Sequence, residues 1–229
     1  HVFDRFYTGP RGRHGLGLAL VQHVCTASGW QVSAGNAATG GARVVVEGRQ
    51  PLDAREPRAA AGVTTLGATL IEPGCVRPTA AGEIILGAHA RIAPLIEMLR
   101  QAGLSCRVEP DIESLLWGKL LVNAAVNPLT ALLRVPNGAL LEMPRARVVL
   151  EALVREAEAV ARAAAIHLPY PDALAEVEKV LRQTAGNQSS MLQDVLRGAP
   201  TEIDAITGAL LAQAHRLGVP APAHERIYR

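Results

Sequence analysis

The spacing of apolar residues divides the chain into a helical second half and a first half of mixed character. Beyond Asp111 apolar residues recur every three or four positions, which is the period of a packed helix. Helix-opening residues stand where these runs begin, among them Asp172 after Pro171, and Glu202 after Thr201. The pattern predicts helices over 111–133, 144–165, 171–184, 189–196 and 201–217.

The first half alternates more and carries β-branched residues, as strands do. We predict a turn at Pro73-Gly74 and a helix end at Gly103. Strands are predicted over 42–47, 63–72, 83–86 and 105–108, and helices over 18–25 and 88–101. The segment 50–61 has prolines, charges and no apolar period, so it is predicted to be a linker. The fold class is therefore α+β, with parts at 1–49, 62–110 and 111–229.

The predicted helix 111–133 carries three polar residues at intervals of four. Lys119, Asn123 and Asn127 advance about 40° per step and form one stripe, which we call the polar stripe. The other faces carry Leu, Val, Ala or Trp, which predicts a helix buried nearly all round. An unsatisfied buried polar group costs roughly 1–3 kcal/mol. The stripe therefore indicates either a cleft for a polar ligand or an internal hydrogen-bond network.

Lys119 is unusual in a second way. Of the 23 basic residues only Lys119 and Lys179 are lysines, and all the others are arginines. A buried lysine in general has a lowered pKa, which suits a general acid. Chance retention of two lysines explains the count equally well.

A second polar segment runs over 187–194 and includes Ser189 and Ser190, with Glu202 downstream. Serine and asparagine near a helix start cap the helix, and a carboxylate in the first turn is stabilised by the helix dipole. The same groups can also bind a ligand. Both interpretations stay open from the residues alone.

Composition and charge narrow the classes of partner. The formal net charge is +2, which favours neither nucleic acid nor an anionic membrane surface. The longest apolar run, 115–133, is interrupted by the polar stripe, so no membrane span is predicted. Three scattered cysteines indicate neither a disulfide framework nor a metal site, and a reduced, cytoplasmic compartment is expected. Because His1 is not preceded by Met or a secretory segment, we interpret the start as truncated.

Residues 62–228 resemble ketopantoate reductase (2-dehydropantoate 2-reductase). Three runs carry the resemblance: GVTTLGATLIEPG (62–74), LWGKLLVNAAVNPLTALLRVPNG (116–138) and NQSSMLQDVLRGAPTEIDAITG (187–208). The resemblance implies a Rossmann domain for NADPH followed by a helical domain for substrate binding and dimerisation. Residues 62–110 would then be the last strands of a Rossmann-like sheet. The implied reaction is the reduction of 2-dehydropantoate, a small 2-oxo acid, to pantoate for pantothenate and coenzyme A synthesis.

The resemblance also implies roles for individual residues. Lys119 resembles the general acid that protonates the ketone oxygen, and Glu202 resembles the carboxylate that assists catalysis beside the cofactor. Ala68 falls where the family's backbone meets the nicotinamide end of NADPH. The groups that resemble substrate ligands are Asn123, Asn127, Asn137 and Ser190.

Residues 1–49 resemble the end of a histidine-kinase ATP-binding domain, through VFDRFYTG, GRHGLGLALVQHV and SAGNAATGGARVVVE. This short βα fragment lacks the family's asparagine box. The Gly15-Leu-Gly17 run is not a dinucleotide fingerprint, because Leu20 holds the third glycine position and no strand is predicted before it. We therefore expect an NADPH-dependent reductase with impaired cofactor binding. The alternatives are a noncatalytic remnant that dimerises through its helical domain, and a kinase-derived ATP-binding module.

Overall fold

The computed structural model describes residues 31–36, 42–47, 61–65, 67–72, 75–80, 82–90 and 92–229, with only the backbone described at 31–36, 42–47, 67–72 and 75–80. The chain divides into two compact units, 1–112 and 113–229, which we describe separately. The predicted helix 18–25, the turn at Pro73-Gly74 and most of the linker 50–61 lie outside the described residues.

The described strands of the first unit form three small sheets. The elements are β1 Gln31–Asn36, β2 Ala42–Glu47, β3 Gly62–Thr64, β4 Gly67–Glu72, β5 Cys75–Ala80, β6 Ile84–Gly87, α1 Ala93–Gln101 and β7 Cys106–Glu109. An antiparallel pair joins β1 to β2, and a second antiparallel pair joins β4 to β5. In the third sheet β3 lies antiparallel and β7 parallel to the central β6, with helix α1 between β6 and β7 in the chain. A helix that links two parallel neighbouring strands is the βαβ arrangement of α/β sheets.

The predicted strand 63–72 is wrong as a single element. β3 pairs with β6, and Thr65 still exchanges hydrogen bonds with Glu83, whereas Gly67 already pairs with Ala80 of β5. Alternation reports which side chains are exposed but not which strand is the partner, so it did not show this break. The strands at 42–47, 83–86 and 105–108 are confirmed, and those at 31–36 and 75–80 were not predicted.

The helix predicted over 88–101 begins later, at Ala93. Pro94 occupies its first turn, where the missing proline N–H costs no helical hydrogen bond. The predicted stop is confirmed, since Gly103 has φ 76°, the left-handed conformation that glycine adopts without strain.

The second unit is helical, as predicted. Ser189 and Asp172 cap two of its helices by accepting hydrogen bonds from the backbone N–H groups of Leu192 and Ala175. The helix predicted from 201 begins at Asp204 instead, with a π-helical turn over Asp204–Gly208. The helices of this unit are α2 Ile112–Leu133, α3 Ala139–Glu142, α4 Pro144–Ala163, α5 Ala173–Gln183, α6 Ser190–Leu196, α7 Ala209–Leu217 and α8 Pro222–Tyr228. Of these, α3 and α8 were not predicted.

The core of the helical unit is formed by aliphatic side chains from α2, α4, α5 and α7. Leu121, Leu150, Leu153, Leu181 and Leu210 are all within 1% of full burial. Helix α2 has the length and composition of a membrane span, with mean hydropathy 1.2, yet 56% of its apolar window is buried. Burial of that extent is what a central core helix shows.

Helix α8 is held by one carboxylate on α4. The two oxygens of Glu156 accept hydrogen bonds from the backbone N–H groups of Ala223 (2.8 Å) and His224 (3.0 Å). The imidazole Nδ1 of His224 lies 2.9 Å from Glu156 Oε2, and the ring is fully buried. Glu156 therefore satisfies three polar groups that α8 buries.

The folded chain is expected to lose stability as the pH decreases, because of His224. Burial lowers the pKa of His224 from its ordinary 6.5, against the opposing hydrogen bond and charge of Glu156. Below about pH 6.5 the unfolded chain therefore binds a proton that the folded chain excludes, so stability is lost as the pH falls through this range. We expect the melting temperature to drop between about pH 7.5 and pH 5.5, and to drop less in His224→Gln. The exposed His167→Gln is the matched control; a slope that is the same in all three proteins would contradict this origin.

Candidate functional site

The polar stripe of α2 runs from solvent into the core. Lys119 is exposed, Asn123 is half-buried and Asn127 is 6% exposed. The predicted burial of this helix nearly all round is wrong for its first turns, since Leu116 is also 37% exposed. Leu121 is the first residue of α2 in the buried apolar core, and Trp117 and Leu120 before it are only partly buried against that core. The stripe therefore places a cation at the surface and amides at increasing depth.

The backbone beside Lys119 is held by a loop that precedes α5. A Cβ atom at Gly118 would lie 2.8 Å from Pro169 Cγ, so glycine allows this loop to approach α2 closely. The hydroxyl of Tyr170 donates to the Gly118 carbonyl at 3.2 Å. Burial raises the pKa of Tyr170 to about 12, which keeps this donor protonated. The turn that carries Lys119 is thus fixed on its other side.

Asn123 is half-buried, and its side-chain amide forms no hydrogen bond to any residue that the structure describes. An asparagine amide has two donor hydrogens and an acceptor oxygen. Asn123 therefore offers both kinds of hydrogen bond to a ligand on the stripe.

Asn127 meets Ser190 from a distant part of the chain. The side-chain Nδ2 of Asn127 donates to Ser190 Oγ at 3.5 Å although the two residues are 63 positions apart in the sequence, and Ser190 itself is exposed. A contact of this length is weak, so both groups keep hydrogen-bonding capacity for a third partner. Two of the predicted substrate ligands are thereby brought together.

Directly beneath this contact lies a buried pair of hydroxyl groups that the sequence did not single out. Thr130 Oγ1 and Ser189 Oγ are 2.7 Å apart, and the two residues are 0% and 6% exposed. The spacing of Thr130, three residues after Asn127, was the available signal, but nothing in the sequence shows that Ser189 reaches it. The same holds for Glu156 and His224, which were also missed.

Asn137 is used differently from the other predicted ligands. Its Nδ2 donates to Thr184 Oγ1 at 2.9 Å and its backbone N–H donates to the Asn187 carbonyl at 2.9 Å. Its Oδ1 is buried and has no hydrogen-bond partner among the described residues. These contacts tie the loop after α2 to the loop before α6.

The two remaining predicted site residues, Glu202 and Ala68, lie outside α2. Glu202 is exposed and lies just before the π-helical turn, where its carbonyl accepts from the Ile206 N–H at 3.0 Å. Ala68 belongs to the first unit, on β4 opposite Pro78 of β5. Among the described residues no group of three His, Cys, Asp or Glu side chains could hold a metal ion.

The geometry suits a small, polar, anionic molecule. An exposed ammonium attracts a carboxylate or polarises a carbonyl, and amides and a hydroxyl along the same stripe fix its orientation.

The fold matches solved oxidoreductases. A ketopantoate reductase of the PanE/ApbA family from Ralstonia eutropha JMP134 aligns with a TM-score of 0.70 at 30% identity, covering 74% of this chain and 56% of that one. A D-mandelate dehydrogenase solved with NADH aligns with a TM-score of 0.68 at 27% identity, covering 75% and 60% of the two chains.

The sequence matches the same class. A 2-dehydropantoate 2-reductase from Archaeoglobus fulgidus is 38% identical over 164 residues, which cover 69% of this chain and 54% of that protein. A family model described as the ketopantoate reductase PanE/ApbA C terminal matches residues 111–229. The chain belongs to the ketopantoate reductase family, which confirms the first resemblance and the predicted fold class. It spans about half the length of the curated relatives that it matches. The kinase-like interpretation of residues 1–49 stays a prediction.

Proposed function

We propose that the polar stripe is the substrate site of a 2-dehydropantoate 2-reductase and that NADPH is the hydride donor. The observation that carries the proposal is the contact between Asn127 and Ser190, because Ser190 comes from a different helix to the stripe that also carries Lys119. When bound, NADPH supplies a hydride to the C2 carbonyl of the 2-oxo acid. The product is the 2-hydroxy acid pantoate.

The roles proposed for the chain's own residues are those that the family resemblance implies. Lys119, at the exposed end, donates the proton that the ketone oxygen takes up as its carbonyl is reduced. Asn123, Asn127 and Ser190 bind the carboxylate and the hydroxyl and so orient the reacting carbon. Glu202 assists beside the cofactor. Asn137 holds two loops of the site together through its Nδ2 and its backbone N–H, and its Oδ1 remains an acceptor for the substrate.

The first unit fits NADPH only in part. The parallel β6–α1–β7 crossover is of the kind found in dinucleotide-binding sheets, and Ala68 on β4 is the proposed backbone contact. The sequence carries no glycine-rich dinucleotide fingerprint, whose backbone N–H groups would hold the pyrophosphate. We therefore propose that this chain binds NADPH weakly.

Fluorescence titration with NADPH tests this part of the proposal. We expect a dissociation constant well above ~100 μM, because a missing phosphate loop removes several charge-assisted hydrogen bonds. A value in the low micromolar range would contradict impaired binding and would show that other residues hold the cofactor.

Turnover is tested by following NADPH absorbance at millimolar cofactor, so that weak binding does not limit the rate. We expect NADPH oxidation that depends on 2-dehydropantoate and exceeds the rate with benzoylformate, the oxo acid that corresponds to mandelate. No oxidation above background with either acid would contradict the proposed activity of this chain.

We further propose a cytoplasmic homodimer formed through the helical unit. A ketopantoate reductase from Staphylococcus aureus is described as dimeric, and Leu132 and Val148 of this chain are 64% and 69% exposed. Sedimentation at micromolar concentration is expected to give twice the 24.2 kDa chain mass. A single species at the monomer mass at every concentration would contradict the dimer.

A further inference from the structure

We propose that Thr130 and Ser189 are positioning residues: their buried hydroxyl pair holds Ser190 against Asn127 in the geometry that binds the substrate. This inference rests on the proposed function of the polar stripe. It adds two residues that do not themselves touch the substrate.

The pair lies at a crossing of two distant segments. Thr130 Oγ1 is 2.7 Å from Ser189 Oγ, and it is also 3.0 Å from the carbonyl oxygens of Val126 and Asn127. Ser189 Oγ accepts from the Leu192 backbone N–H at 3.1 Å as the N-cap of α6. Both hydroxyls are therefore surrounded by protein atoms, with no part of Thr130 exposed.

The available protons fix the direction of this chain of hydrogen bonds. Each hydroxyl has one proton, and the Leu192 N–H can only donate. The Ser189 hydroxyl accepts from Leu192 and donates to Thr130, and the Thr130 hydroxyl donates to the α2 carbonyls. In the reverse direction the proton of Ser189 would have no acceptor among these contacts. The arrangement that satisfies every group therefore links the N-terminus of α6 to the backbone of α2.

This link reaches both members of the substrate-binding contact. Thr130 touches the carbonyl of Asn127, and Ser189 immediately precedes Ser190. An ordinary N-cap needs only the serine and the helix N–H groups. Here the cap is itself bonded to α2, so the position of the Ser190 hydroxyl is set relative to the Asn127 amide. The weak 3.5 Å contact between those two groups could not do this alone.

The test measures the affinity for pantoate by calorimetry, without cofactor. Thr130→Val removes the hydroxyl at nearly constant shape, and we expect it to weaken binding roughly tenfold, the effect of one lost buried hydrogen bond. Thr130→Ser keeps the hydroxyl and is expected to stay within about twofold of the unsubstituted chain. In a chain that already carries Ser190→Ala, adding Thr130→Val should weaken pantoate binding by less than a further factor of about two, because the effect of Thr130 passes through Ser190.

A purely structural role for Thr130 predicts something else. In that case Thr130→Val would have a lower melting temperature but unchanged pantoate affinity. Alternatively, the double variant would lose as much pantoate affinity as the two single variants lose together. Either result would overturn the positioning role. Ser189→Gly provides a second route if Thr130→Val does not fold, since glycine is an acceptable N-cap. It should weaken pantoate binding like Thr130→Val.

The same binding measurements distinguish failure of the proposed function from failure of the positioning role. If the unsubstituted chain does not bind millimolar pantoate, the substrate site itself is contradicted and the positioning role with it. If it binds and Thr130→Val and Ser189→Gly bind equally well, only the positioning role is contradicted.

Discussion

Replacing Lys119 by alanine is expected to lower the turnover of 2-dehydropantoate by about 10²–10⁴-fold, the usual contribution of a general acid. The proposed mechanism requires a proton at the ketone oxygen as the hydride arrives, and Lys119 is the cation that the stripe presents at its exposed end. Because the side chain is exposed, its removal should change the melting temperature little. The measurement is steady-state NADPH oxidation at saturating cofactor.

Lys179→Ala is the matched control. Lys179 is the second of the two lysines, and it is exposed on α5 with its ammonium 2.9 Å from Glu176. Its loss should leave turnover within about twofold, since a surface ion pair contributes little. Equal rates in both variants would contradict the assignment of Lys119 as the acid.

The largest effect on stability is expected from Glu156→Ala. This change leaves two backbone N–H groups of α8 and the Nδ1 of the fully buried His224 without their acceptor. With each unsatisfied buried group costing roughly 1–3 kcal/mol, we expect a loss of about 3 kcal/mol or more. For a chain of this size that lowers the melting temperature by roughly 10 °C.

Glu158→Ala on the same helix is the comparison. The Glu158 carboxylate lies 3.4 Å from exposed Arg162 and contributes only a surface i, i+4 pair. Its loss is expected to cost about 0.5 kcal/mol. A Glu156→Ala protein that melts at the same temperature as Glu158→Ala would show that α8 is held by its apolar contacts rather than by the carboxylate.

The sequence predicted the helical unit well because its signals are local. The apolar period and the openings at Asp172 and Ser189 mark α5 and α6 within one or two residues. Helix α8 has seven residues like α6, but it was missed because its N-cap is Ala221, which forms no side-chain cap. Its start depends on Glu156, which lies far away in the sequence.

The strands were harder to predict because their partners are distant. Residues 63–72 were predicted as one strand, yet their two halves pair with different strands. Alternation within one segment does not encode that choice.

For the candidate site, the sequence predicted the alignment of the stripe but not its depth. Intervals of four residues place Lys119, Asn123 and Asn127 on one face of α2 whatever surrounds it. How deeply each residue lies depends on where the other helices pack, so the predicted burial of Lys119 was wrong. The Thr130–Ser189 pair joins segments 59 residues apart, which spacing alone does not reveal.

Pantoate titration of the ¹⁵N-labelled chain tests the central claim most directly, because it locates binding without requiring turnover or cofactor. We predict that the side-chain amide resonances of Asn123 and Asn127 and the backbone amide of Ser190 shift together, with one dissociation constant at or below ~1 mM. The same resonances should be unmoved by acetate, which offers a carboxylate without the hydroxyl groups. Shifts confined to other parts of the helical unit, or no shifts at all, would contradict the claim that the polar stripe is the substrate site.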